Sequence, residues 1–155
     1  VSVSSVQAAT LRQGQAAYLR EDYVSAGRIF VPLAKAGNAT AQAYLGFMFE
    51  YGRGVPQNYP EAAYWYGRAA EQGHSTAQCM LGLLFDKGFG VPEDVVEAGK
   101  WLTLAAASAA KDSREYFARL RDAVKTKMTR GQVFETQRRA IAWYPKPETP
   151  VRRKR

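Results

Sequence analysis

A single cysteine, Cys79, and a single histidine, His74, stand among 155 residues. One thiol excludes an internal disulfide, and one Cys with one His excludes a zinc site built from such ligands. No apolar run approaches the ~20 residues that a helix needs to cross a bilayer. The nearest, Leu102–Ala110, is too short, so no membrane-spanning helix is expected. No Ser-His-acid set, phosphate-cradling glycine loop or metal-ligand motif can be assembled. Neither an enzyme nor a cofactor is therefore expected. Acidic residues are also scarce, 14 against 22 Lys plus Arg, which leaves a net charge of +8. A chain of this length can bury about 68–70% of its unfolded surface as one domain, without disulfides or metal.

What is present is repetition. Residues 37–72 laid over 73–108 give 16 identities in 36 positions without a gap. Gly37, Thr40, Ala41, Gln42, Leu45, Gly46 and Phe49 recur as Gly73, Thr76, Ala77, Gln78, Leu81, Gly82 and Phe85. The turn residues Gly52, Gly54, Val55 and Pro56 recur as Gly88, Gly90, Val91 and Pro92. Then Glu61, Ala62, Trp65, Ala69 and Ala70 recur as Glu97, Ala98, Trp101, Ala105 and Ala106.

Each unit reads as two helices. The first, about Ala39–Tyr51, spaces Ala41, Leu45, Met48 and Phe49 along one stripe and ends at Gly52, a residue suited to the left-handed conformation past a helix end. The second starts after Asn58 or Asp94, with Glu61 or Glu97 three residues on, the pattern of a reciprocal capping box. Those two glutamates would otherwise suggest an acid–base pair, but their repeat registry assigns them to the caps. Carried backwards, the same step places Asp22, Tyr23, Ala26, Ala34 and Gly37 over their counterparts, so residues 9–36 form an N-terminal capping pair with a shorter turn at Arg20–Asp22. Residues 109–144 form C-terminal capping helices, one opened by Asp112 with Glu115 and one by Thr129 with Gln132. Residues 145–155 form a basic, proline-rich tail, expected to be extended and water-exposed. The first eight residues read either as the remnant of an export signal, with Val6 and Ala8 placed as in a cleavage site, or as a first helical turn capped by Ser4 or Ser5.

A helix pair of this kind cannot cover its own apolar stripe, so pairs stack and share a core. The expected fold is an all-α, short right-handed α/α solenoid of about eight antiparallel helices, each unit touching only its neighbours. The first helices should line a concave working face.

The residues resemble the Sel-1-like repeat family, relatives of the tetratricopeptide repeats with a longer turn. The resemblance spans about residues 14–108. It is carried by Ala41-Gln42-Ala43-Tyr44-Leu45-Gly46, Tyr51-Gly52-Arg53-Gly54-Val55-Pro56-Gln57-Asn58-Tyr59 and Trp65-Tyr66, repeated as Ala77-Gln78-Cys79-Met80-Leu81-Gly82, Lys87-Gly88-Phe89-Gly90-Val91-Pro92 and Lys100-Trp101. Lys127–Ala140 is similar to the closing helix of small bacterial members. The resemblance implies a non-catalytic scaffold or adaptor that binds a protein or peptide, in a family whose bacterial members are often exported, hence a periplasmic or secreted location. Some members staple each repeat with a disulfide, which this chain, with Cys79 alone, cannot form.

Trp65 and Trp101 fall at one register position and read as core. Cys79 replaces Ala43 and reads as an inert buried thiol. His74 replaces Asn38 after the helix-ending glycine, where it should face water. Recognition should sit where the repeats differ: Tyr44, Phe47, Tyr51 and Arg53 in one unit, Met80, Leu83, Lys87 and Phe89 in the other. The alternative is that several of these pack between units. Charge is +9 over residues 109–155 and near zero across the repeats, which argues against a nucleic-acid groove through the solenoid. It permits an anionic contact, such as an envelope polymer, through Arg152, Arg153, Lys154 and Arg155. An immunity protein that occludes a secreted effector is a further alternative on the concave face.

Overall fold

A computed structural model describes residues 2–148. Eight helices follow one another, α1 (Val3–Leu19), α2 (Tyr23–Lys35), α3 (Ala39–Tyr51), α4 (Tyr59–Glu71), α5 (Ser75–Lys87), α6 (Val95–Ser108), α7 (Lys111–Lys125) and α8 (Arg130–Ala142), with no strand among the described residues. The all-α solenoid is observed. From α1 to α7 each helix packs on the next, α8 packs on α6, and the core runs through the stack as overlapping clusters. Trp65 of α4 packs with Phe30, Leu33 and Leu45 in the cluster of the preceding unit, and Trp101 of α6 packs with Tyr66 and Leu81 in the next. Truncating a buried Trp costs roughly 3–5 kcal/mol, so these two residues bind each unit to its neighbour.

The interhelix turn is a repeated device. Gly52 and Gly88 end α3 and α5 at φ 64° and 68°, in the left-handed region that a Cβ disfavours. Gly54 and Gly90 follow at φ 73°, and there the turn presses on the start of the preceding unit's second helix. A Cβ on Gly54 would meet the Tyr23 Cβ at 2.9 Å, and one on Gly90 would collide with the backbone of Tyr59. Gly46 and Gly82 perform a different service: their bare Cα atoms let Tyr66 and Leu102 lie flat against α3 and α5.

Several expectations about ends need correction. Asn58 and Asp94 accept from the backbone N–H groups of Glu61 and Glu97, but the reciprocal half of each box is not formed. The Glu97 carboxylate instead takes Lys100 at 2.9 Å and Arg139 at 2.6 Å, two cations that outbid a backbone amide. Only at α8 is the box complete, with Thr129 and Gln132 satisfying each other's backbone. α7 starts at Lys111, so Asp112 lies inside its first turn and Ala110, with no side-chain hydrogen bond, holds the cap position. α1 is capped by Ser2, not Ser4 or Ser5.

Nor are contacts confined to sequence neighbours. α8 returns to pack on α6. Gly99 makes room for it, standing where the first repeat has Ala63; a Cβ there would run into Met128 and come within 2.9 Å of the Thr136 methyl. Beyond α8 the chain stays extended but is not free in water: residues 143–148 lie back along α4, held by hydrogen bonds to Glu71, Gln72, Arg68 and Gln42. Arg152–Arg155 lie outside the described residues.

Candidate functional site

The first helices of successive units share one face. α1, α3 and α5 enclose a groove of about 270 Å³ lined by Gln15, Thr40, Ala43, Tyr44, Phe47, His74 and Thr76. Helical spacing of three and four residues puts Tyr44, Phe47 and Tyr51 in one row along α3. The Tyr44 ring stacks on Phe30 at 4.6 Å and meets Tyr18 edge-on at 5.0 Å. Phe47 stands edge-on to Tyr66 at 5.5 Å and is stacked with Tyr51 at 6.4 Å. Tyr51, about half exposed, ends the row in solvent.

Beneath this row, Tyr66 donates its hydroxyl proton to Glu50 at 2.7 Å. Burial pushes the Glu50 carboxyl above the ordinary carboxylate value. Burial and the neighbouring Glu50 charge push the Tyr66 phenol well above its usual range, so it stays a donor.

Arg53 is less free than its turn position suggests. Its guanidinium lies 5.4–5.6 Å from the ring centres of Tyr18, Tyr23 and Tyr51 and donates to the Tyr18 hydroxyl at 2.6 Å. It is thus largely spent on joining two units. Phe89, its counterpart, rests on Tyr59 at 4.9 Å, the counterpart of Tyr23, and remains 41% exposed. The Lys87 ammonium sits 5.8 Å from the Phe89 ring. Met80 packs into the middle core cluster and Leu83 into the last.

The eight predicted residues therefore divide. Tyr44, Phe47, Tyr51 and Arg53 form one continuous patch, Lys87 and Phe89 a second, and Met80 and Leu83 are mainly packing. The groove also recruits Gln15, Thr40 and Thr76, which the comparison of repeats passed over because Thr40 and Thr76 are identical in both units.

Cys79 is buried, and burial pushes its thiol up to about 12, so it has almost no thiolate at neutral pH. His74 does not simply face water. Its Nδ1 accepts the Ala77 N–H at 3.2 Å and caps α5, as the Asn38 side chain caps α3 at 2.9 Å. Burial lowers its pKa. Among the described residues no group of three or more His, Cys, Asp or Glu side chains is arranged to hold a metal ion. Much of the basic surplus in α7, α8 and the turn between them is paired: Arg138 and Arg139 with Glu135, Arg139 with Glu97, Lys127 with Asp86 and Arg121 with Asp122.

On the opposite side a second groove, about 430 Å³, runs between α4 and α6 over Tyr64, Gly67, Glu71, Phe85, Lys100 and Trp101.

Residues 39–74 and 75–109 each match the family model described as Sel1 repeat. The chain carries two Sel1 repeats. Sel1 repeats are typically protein–protein interaction modules. Their solved relatives have this architecture. A protective antigen present in uropathogenic Escherichia coli strains, displaying an SLR fold, superposes with a TM-score of 0.79 at 29% identity over 86% of this chain. A Sel1 repeat protein from Oxalobacter formigenes superposes with a TM-score of 0.64 at 31% identity over 83% of this chain. This chain spans 29% of the first and 53% of the second. No curated protein is similar enough in sequence to count as a relative.

Proposed function

We propose that this chain is a non-catalytic scaffold whose inner face, built on α1, α3 and α5, holds an extended segment of a protein partner. The observation that carries this reading is the groove walled by Tyr44 and Phe47 and continued into solvent by Tyr51. Aromatic side chains offer large contact area at small conformational cost. Gln15, Thr40 and Thr76 add side chains able to hydrogen-bond a peptide backbone from the same groove. Variation between repeats supports selective readout: the packing glycines and alanines recur, while Tyr44, Phe47 and Tyr51 become Met80, Leu83 and Lys87. Catalysis has little to work with, since the Cys79 thiol is withdrawn and the His74 Nδ1 is spent on a cap.

The test is affinity capture from the native cell with the intact chain beside a Tyr51→Ala/Phe89→Ala variant, both positions being exposed. A partner retained by the intact chain and lost by the variant, at an unchanged thermal midpoint, is the expected outcome. Equal capture by both removes the inner face from consideration. If the captured protein is a toxin silenced by binding, the scaffold reading gives way to that of an inhibitor on the same face.

A further inference from the structure

The segment after α8 is seated as a ligand would be. Trp143 turns out of the helix into extended backbone and meets Trp101 edge-on at 6.1 Å, while its indole N–H donates to the Glu71 carboxylate at 3.2 Å. The Lys146 N–H donates to the Glu71 carbonyl at 2.7 Å, and the Glu148 N–H donates to Gln72 Oε1 at 3.2 Å. From Pro145 to Glu148 every second position supplies an amide. The alternate positions are Pro145 and Pro147, which have no amide hydrogen to leave unsatisfied and whose rings preset an extended backbone.

The segment ends on a carboxylate cradle. Arg68 grips Glu148 through Nε at 2.9 Å and Nη2 at 2.6 Å, and Gln42 Nε2 adds a third donor at 3.0 Å. The cradle is also braced by contacts within the repeats. Gln42 is fully buried, and its Oε1 is held by Gln72, which also donates to the Gly37 carbonyl. The Arg68 guanidinium lies 5.0 Å from the Trp65 ring centre and 5.8 Å from that of Tyr64. Gly37 completes it, since a Cβ there would come within 2.9 Å of the Glu148 Cβ. Pro145, Lys146 and Pro147 remain exposed, and no described element follows them, so the segment can leave without unwinding a helix.

We infer that this outer seam is a second peptide site, distinct from the inner face, which reads an extended Pro-x-Pro-Glu segment by its alternate amides and its carboxylate. Residues 143–148 occupy it in cis, and an acidic, proline-bearing segment of a protein partner takes their place in trans. Intramolecular connection makes the strap a strong competitor, and a partner's affinity is lowered by the fraction of time the site stands open.

The test uses the full chain and a fluorescent peptide of sequence Trp-Tyr-Pro-Lys-Pro-Glu-Thr, copied from residues 143–149 and amidated at its end. A Glu148→Ala chain should bind this peptide roughly tenfold more tightly than the unsubstituted chain, the ratio expected if the strap covers the site about nine-tenths of the time. Changing the peptide's Glu to Gln, or adding Arg68→Ala to the Glu148→Ala chain, should remove binding, whereas Tyr51→Ala should leave it intact. Circular dichroism and the thermal midpoint report whether the variant folds. Should Glu148→Ala unfold, Pro147→Gly loosens the strap through backbone freedom alone and should raise affinity in the same direction. Equal affinity for the strap-weakened and unsubstituted chains, or binding indifferent to Arg68, overturns the inference.

Discussion

Gln42 and Gln78 occupy one position in successive repeats and are both buried, yet only one is fully satisfied. Each donates through Nε2 to a carbonyl of the preceding helix, Ala34 or Ala70, at 3.1 Å. Gln42 Oε1 accepts from Gln72 at 2.9 Å, whereas the second repeat has Ser108 at the place of Gln72 and Gln78 Oε1 meets no partner among the described residues. A buried acceptor without a donor costs roughly 1–3 kcal/mol. Ser108→Gln, by restoring the donor, should stabilise the fold by about 1 kcal/mol in urea unfolding, and Ser108→Ala should not. The identity of Gln42 and Gln78 was plain in the sequence. Their different partners were not, because the donor lies thirty residues away on another helix.

At the scale of the helix, the caps explain more than the apolar stripes do. His74 and Asn38 both close the open amide of a first helix, but only His74 carries a titratable group. Burial lowers its folded-state pKa below the ordinary 6.5. The sign follows: the unfolded chain takes up the proton first, so stability is complete above about pH 6.5 and falls as the pH drops toward the lowered value. Protonated Nδ1 can no longer accept from Ala77. His74→Asn should therefore flatten the pH dependence of the thermal midpoint between about pH 7 and 5, without loss at pH 8. A midpoint profile unchanged by the substitution would show that the cap carries no pH dependence. The end of α3 was legible from Gly52, since a left-handed stop is local chemistry, whereas the Asn38 and His74 position was read as facing water and proves to cap the next helix. The start of α7 was not, because Asp112 has the chemistry of a cap while the helix begins at Lys111 with Ala110 in the cap position.

At the scale of the whole molecule, α8 and residues 143–148 fold back over the repeats. α8 returns to α6 where Gly99 replaces an alanine, and the strap then runs back along α4 to Arg68. Pairing with Arg68 holds the Glu148 carboxyl below the ordinary carboxylate value of 4.5. A depressed carboxyl contributes docking strength that is present above its unfolded value and lost as the pH falls through the folded one. Acidification should accordingly release the strap before the helices unfold, seen as a change in Trp143 fluorescence at constant far-ultraviolet dichroism. In Glu148→Gln that early step should be absent. A single transition in both chains would mean that strap and solenoid unfold together.

By itself the sequence determined the paired helices of the two repeats and the buried Trp65 and Trp101, because a 36-residue period with glycine stops is local information repeated in register. It also marked the Tyr44, Phe47 and Tyr51 row as the place where the units differ. Only the tertiary structure decided that Arg53 is spent between three tyrosine rings, that Glu97 serves Arg139 instead of its cap, and that residues 143–148 lie in a seam of the repeats. Each of those outcomes rests on pairing between groups far apart in the chain, where proximity is set by how the units stack and no periodicity announces it.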